Sequence, residues 1–390
     1  MHDFSRSPDN YENTFIKHDR VMLLELFGTE DVVPFWVADM DFRVADPISK
    51  ELRRLADRSV FSYEFSEEEV FGAIASWNKR RHALRLETTK FLQVPGVMTG
   101  IALLLRQLTE EGDGVLIQTP VFHQFPKVIN TARRSIVRSP LRIRNGRYEM
   151  DLEDVERRLE SGQAKSILLC SPHNPVGRVW KPEELQGLAA IAERYGVIII
   201  SDEIFSDIIY AGGAFKSIAA FDPEQHVALL GSPAKSFGMQ SISNGYVYTE
   251  NEDILRNLGD EIDSMYLSHG NAFTTFATIA AYSYGEEWLE ELLSYLEATI
   301  AHIDSFLTDR LPEVRVYPVE GTYQLWIDFR ELGLAEKQLE KLVFERAKLG
   351  LAPGRWFGAE SNLFMRMNVA SPYSKIEAAL NRLEAALTSL

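Results

Sequence analysis

Short apolar runs and longer amphipathic stretches alternate along most of this chain. Ser166–Cys170, Gly196–Ile200 and His226–Gly231 are nearly unbroken apolar runs of strand length, and Gly114–Thr119 is another. Such runs predict strands covered on both faces. Helical spacing marks Pro47–Arg58, Glu67–His82, Ile101–Leu108, Asp151–Gly162 and Pro182–Gly196. The last has proline near its start and glycine at its end, the expected asymmetry. Asn244–Thr249 adds a strand. Strand, helix and strand in alternation predict an α/β fold with a doubly wound, mostly parallel sheet. Further on, Glu286–Leu311 predicts a long helix bridging two units. Val314–Val319 and Thr322–Phe329 predict strands, the second alternating Tyr323, Leu325 and Ile327 against Gln324, Trp326 and Asp328. Glu336–Leu349 reads as a helix, Phe364–Val369 as a strand and Ser374–Leu387 as a final helix, together a smaller α+β unit. The expected division is residues 1–45 as an N-terminal arm and part of the small domain, 46–285 as the large domain and 286–390 as the small C-terminal domain.

The 390 residues suit two domains. The formal charge of −16, from 41 basic and 57 acidic residues, argues against a nucleic-acid surface, which needs a basic patch. No apolar stretch approaches the roughly 18 residues of a membrane span, and the N-terminal segment has no apolar signal core. The lone cysteine, Cys170, cannot form an internal disulfide and lies in an apolar run, which favours a packed core residue in a cytoplasmic protein. The 8 histidines are scattered without metal-ligand spacing, so no metal site is expected.

The chemistry concentrates at three strand ends. Asn174 follows the first run in Ser171-Pro-His-Asn-Pro-Val-Gly177, Asp202 follows the second in Ser201-Asp-Glu-Ile204, and Lys235 follows the third in Ser232-Pro-Ala-Lys-Ser-Phe-Gly238. Ligands of open α/β sheets bind at the carboxyl ends of strands. A lysine there can attach an aldehyde cofactor covalently, and a carboxylate can hold a proton on a cofactor ring nitrogen. Val94-Pro-Gly-Val-Met-Thr-Gly100 leads into a helix, whose free N–H groups suit a phosphate. Gly96 would allow an unusual turn there, and Gly100 close packing. Arg366 lies on a predicted strand, and its planar fork matches a carboxylate.

Asn-Pro-x-Gly, Asp-Glu about thirty residues on, then Ser-x-x-Lys resembles the fold-type I pyridoxal-phosphate (PLP) enzymes of aminotransferase class I/II. Trp36-Val-Ala-Asp-Met-Asp-Phe42, Ser171 to Trp180 and Phe364-Met-Arg-Met-Asn-Val-Ala370 resemble its cystathionine β-lyase (C–S lyase) branch of the MalY/PatB type. The resemblance runs from about residue 30 to the end. It implies pyridoxal 5'-phosphate on Lys235, with Asp202 at the ring nitrogen and Asn174 donating to the ring oxygen. It implies Phe122 stacked on the ring, and the phosphate held by the backbone of Val97 and Met98. Ser232 and Ser236 could also reach that phosphate. It further implies Ala38 and Arg366 at the substrate carboxylate, and Tyr63 contributed to a neighbouring subunit's phosphate site in a homodimer.

Three departures are visible. Ser243 stands where many aminotransferases carry a phosphate-binding arginine, which the lyase branch also lacks. Phe205 replaces a polar residue beside the ring, and Lys-Ser-Phe-Gly replaces Lys-Thr-Phe-Asn. The expected activity is β-elimination from cystathionine or a cysteine-like amino acid to thiol, pyruvate and ammonia. An aminotransferase, and a catalytically degenerate regulatory or interaction protein of the same fold, are the competing readings. The partner expected is a small amino acid, with no nucleic acid and no membrane.

Overall fold

A computed structural model describes residues 2–8, 14–64, 66–222, 225–268 and 270–389. Part of the expected N-terminal arm, residues 9–13, lies outside the described residues. Seven strands form the central sheet: β1 (Phe91–Val94), β2 (Gly114–Ile117), β3 (Ser135–Arg138), β4 (Ser166–Cys170), β5 (Ile198–Asp202), β6 (Val227–Gly231) and β7 (Gly245–Tyr248). Their order is β1-β7-β6-β5-β4-β2-β3. All pairings are parallel except those of β7, which runs antiparallel to β1 and β6. Every residue of β4 and β6 is buried, which is why both read as continuous apolar runs. Burying each large aliphatic side chain contributes about 2 kcal/mol.

The helix after β1 starts at Val97 and runs to Leu108 (α2, the helix α1 being Glu67–His82), one turn earlier than the apolar spacing predicts. Two close approaches set its position. A Cβ on Gly100 would meet Leu230 Cδ2 at 2.6 Å, and one on Gly245 would meet the Val97 nitrogen at 2.8 Å. Gly96, by contrast, has an extended φ of 173° and no neighbour within 4 Å of a Cβ, so neither turn nor space requires glycine there.

A second sheet of four antiparallel strands comprises β8 (Arg315–Val316), β9 (Gln324–Asp328), β10 (Ala352–Pro353) and β11 (Phe364–Asn368), in the order β8-β9-β11-β10. β8 is far shorter than the expected Val314–Val319, because Pro318 has no N–H to extend the ladder. β9 does alternate, yet all five residues are buried. Leu325 and Ile327 join the larger apolar cluster, while Trp326 joins the one that includes Val176 and Trp180. The expected helix over 336–349 keeps its α form only through Glu340. It widens to a π-helix over Lys341–Arg346, and Leu349–Gly350 then pairs with Val33–Pro34. The long helix is Glu286–Arg310; its Trp288 lies near Phe237, beside the candidate lysine. Among the described residues no helix is long and apolar enough to cross a membrane.

Candidate active site

The carboxyl ends of β4, β5 and β6 open onto one cavity of about 280 Å³. Asn174, Asp202 and Lys235 all line it, although 61 residues separate the first from the last along the chain. Ala38, Val97, Met98, Phe122, Ser232 and Ser243 complete its wall among the residues expected from sequence. Ile204, Thr99 and Gln240 also line it and carried no sequence signal of their own.

Lys235 sits on a single helical turn, Ala234–Phe237 (α3), closed by Gly238 in the left-handed region at φ 69°. Its Nζ donates to the Ala38 carbonyl at 2.5 Å. Burial pushes its ammonium down to about 8; Asp39 opposes this, Arg366 adds to it and Asp202 opposes it. Burial likewise pushes the Asp202 carboxyl up to about 6, against the Ile204 N–H and the charge of Lys235. Asp202 Oδ1 accepts that N–H at 3.1 Å, in a turn and not at a helix start.

The first turn of α2 has no side-chain cap, so its N–H groups face the cavity as donors. Ser232 donates its proton to the Asn244 carbonyl at 2.8 Å and lies 3.4 Å from the Ser243 hydroxyl. A phosphate fits this end: backbone donors at Val97 and Met98, and Ser243 beside them. Ser236 does not belong here. Its hydroxyl donates to Asp207 at 2.6 Å, on the far side of the turn from the cavity lining.

Next to Asn174 the second sheet supplies Arg366, which is 1% exposed. Nη1 donates to Asn174 Oδ1 at 3.1 Å and Nη2 to the Trp36 carbonyl at 2.5 Å, while Nε is buried without a partner among the described residues. The guanidinium lies 5.0 Å from the Phe357 ring centroid, and among the described residues no carboxylate is bonded to it. Burial accordingly lowers its proton affinity. A guanidinium buried with an unused donor suits a ligand carboxylate. Asn368, two residues on, donates to the Val37 and Asp39 carbonyls at 2.6 Å each. Tyr323 donates to the Ala38 carbonyl at 3.3 Å, and its ring meets Phe205 edge-on at 5.2 Å. The segment 36–39 thus lies over the cavity with each carbonyl engaged.

Asp39 accepts from Lys17 at 2.9 Å. Asp41 is held well below the usual carboxylate range, the lysines Lys375 and Lys17 overcoming its burial. Cys170 is buried, and its thiol is pushed up by burial and by Asp202. Tyr63 stands apart: 97% exposed, it lines a separate cleft of about 1180 Å³ with Phe61 and Phe273. Among the described residues no group of three or more His, Cys, Asp or Glu is placed to hold a metal ion.

Comparison with known proteins places this arrangement. The model of the family described as aminotransferase class I and II matches residues 30–383. Cystathionine beta-lyase PatB of Bacillus subtilis is 30% identical over 99% of this chain and 100% of its own length. A PLP-bound structure from Clostridium difficile 630, provisionally described as an aminotransferase, is 34% identical with a TM-score of 0.95, covering 99% of this chain and 100% of the other. The PLP-bound C–S lyase of Staphylococcus hominis is 27% identical with a TM-score of 0.92, covering 99% and 98%.

Proposed function

The chain belongs to the aminotransferase class I and II family, and from that premise we propose that it is a PLP-dependent carbon–sulfur β-lyase. It cleaves cystathionine or a cysteine-like amino acid to a thiol, pyruvate and ammonia. The observation that carries this reading is one cavity lined by Lys235, Asp202 and Asn174, the last hydrogen-bonded to the Arg366 guanidinium, in a chain of which 99% aligns with a cystathionine β-lyase.

Pyridoxal 5'-phosphate, when bound, supplies an aldehyde for amines and an electron sink for charge developing at an amino acid's Cα. The residues around it have separable tasks. Lys235 attaches the cofactor and, once freed, takes the Cα proton; its lowered proton affinity keeps a share of the amine unprotonated near neutral pH. The same amine can then return a proton to the departing sulfur. Asp202 holds a proton at the ring nitrogen, and a cation there would draw its raised pKa back down. Asn174 has its Oδ1 committed to Arg366, which leaves its amide N–H groups for the ring oxygen. Val97, Met98 and Ser243 hold the phosphate, Ser232 joins them only by giving up the Asn244 carbonyl, and Phe122 covers the ring. Arg366 exchanges the Trp36 carbonyl for the substrate carboxylate, beside Ala38.

The two separate sheets support a division at residues 45/46 and 285/286 into a large and a small domain. The exposed Tyr63 and Phe61 support a homodimer in which Tyr63 reaches the second subunit's phosphate site. A single buried thiol supports a cytoplasmic setting. Transamination remains the second reading, favoured by the description of the Clostridium difficile structure. The discriminating assay supplies PLP and L-cystathionine with and without 2-oxoglutarate. Thiol and pyruvate are expected in both. Turnover that strictly needs the 2-oxo acid, without thiol release, would move the assignment to aminotransferase.

A further inference from the structure

Behind the cavity lies a buried carboxylate that the chemistry above does not use. Asp207 is 2% exposed and follows Asp202 by five residues. Its Oδ1 accepts from Trp77 Nε1 at 2.9 Å and lies 2.8 Å from His82 Nε2, with Arg81 Nε at 3.7 Å. Its Oδ2 accepts from Ser236 Oγ at 2.6 Å. Burial favours the neutral acid, but the hydrogen bond and charge of His82, the hydroxyl of Ser236 and the charge of Arg81 outweigh it, so Asp207 stays ionised. One carboxylate therefore ties together α1, the turn after β5 and α3.

The tie matters because α3 is one turn long. A helix that short has no stability of its own and takes its orientation from what it touches. Its Ala234 and Lys235 line the cavity, while Ser236 and Phe237 face inward. Phe237 meets Trp77 edge-on at 5.7 Å between ring centroids and also packs against Tyr282 and Trp288, which anchors the apolar side of the turn. The hydrogen bond from Ser236 is directional and charge-assisted. It connects the turn that carries Lys235 to a carboxylate already held by Trp77 and His82 of α1.

We propose that Asp207 and Ser236 are positioning residues, whose buried hydrogen bond sets the Lys235 amine in register with Asp202. The proposal rests on the reading of Lys235 as the cofactor lysine. A displacement of about an ångström at a reacting atom can cost on the order of a hundredfold in rate.

The test uses the purified full chain loaded with PLP. Borohydride trapping on wild type, read by peptide mass, comes first; a label absent from Lys235 overturns the cofactor reading and the proposal with it. Given that label, Ser236→Ala is compared with Ser236→Thr, which keeps the hydroxyl, and with Val155→Ala, a core truncation on a distant helix. For Ser236→Ala, the visible circular dichroism of the bound cofactor should change. Its kcat should fall about tenfold with KM within about twofold. Ser236→Thr should restore both, and Val155→Ala should lower thermal stability while leaving both unchanged. An unaltered visible spectrum and kcat in Ser236→Ala would overturn the proposal. So would equal losses in Val155→Ala, since the effect would then be one of general stability.

Discussion

The two ends of the cavity are built by different means. The cofactor end consists of strand termini and a helix start: Asn174, Asp202 and Lys235 follow β4, β5 and β6, and Val97 opens α2. Its placement comes from a buried ladder, Leu168 to Ile200 and Ile200 to Ala228, that leaves no freedom of register. The substrate end pairs a strand residue, Arg366, with the irregular segment 36–39, whose carbonyls take the bonds of Arg366, Asn368, Lys235 and Tyr323. The cofactor end keeps the uncapped N–H groups at the start of α2 open, whereas at the substrate end Arg366 gives Nη2 to the Trp36 carbonyl and Nη1 to Asn174. The first is therefore preorganised, and the second must exchange partners when a substrate carboxylate enters.

The most damaging way to probe the contrast is Lys235→Ala. Loss of the amine proposed to attach the cofactor and move the Cα proton should lower turnover roughly 10³-fold or more. The visible absorption of attached cofactor and the borohydride-trapped lysine should vanish together. A lysine-linked adduct surviving in that variant would assign the attachment elsewhere.

A subtler comparison sets one substitution at each end. Asp202→Asn should leave KM nearly unchanged and lower kcat on the order of 10²-fold or more, because the proton at the ring nitrogen is lost while substrate contacts persist. Arg366→Lys should do the reverse, raising KM about tenfold to a hundredfold as a planar fork becomes a point charge. If both variants lose kcat and KM in the same proportions, the two ends do not act independently.

The smallest expected effect concerns the apo protein and acid. Asp202 has its folded pKa raised to about 6, so the folded state binds the extra proton between its ordinary value and that point. Its contribution is favourable at low pH and is lost as pH rises through about 6, a swing of about 3 kcal/mol at most. Urea unfolding of the apo protein at pH 4 and pH 7 measures it. Asp202→Asn should flatten that slope, and an unchanged slope would show that folding does not shift the Asp202 pKa.

Much of the cofactor end was legible in the chain because its residues sit next to the strongest pattern available. Continuous apolar runs mark strands buried on both faces, and the residues just past them fall at strand ends without further argument. The runs ending at Cys170, Ile200 and Gly231 therefore located Asn174, Asp202 and Lys235 before any contact was known. The helix Ala272–Tyr284 was missed because its buried residues are mostly alanine and threonine, which carry little periodic contrast. The split of 336–349 into α, π and strand was missed because Leu349 pairs with Val33, more than 300 residues earlier.

What the sequence determined by itself was the parallel sheet, the order of its strand-end residues and the helix start that suits a phosphate. These follow from local hydrophobic pattern and backbone chemistry. What tertiary structure decided was the identity of partners across long separations. Only the fold turned Ser236 away from the cavity toward Asp207, 29 residues upstream, and joined Trp77 to the same carboxylate across 130 residues. Only the fold laid the Trp36 carbonyl on Arg366, 330 residues away. Side-chain hydrogen bonds between distant segments leave no periodic trace in a sequence, because their geometry depends on every element packed between them.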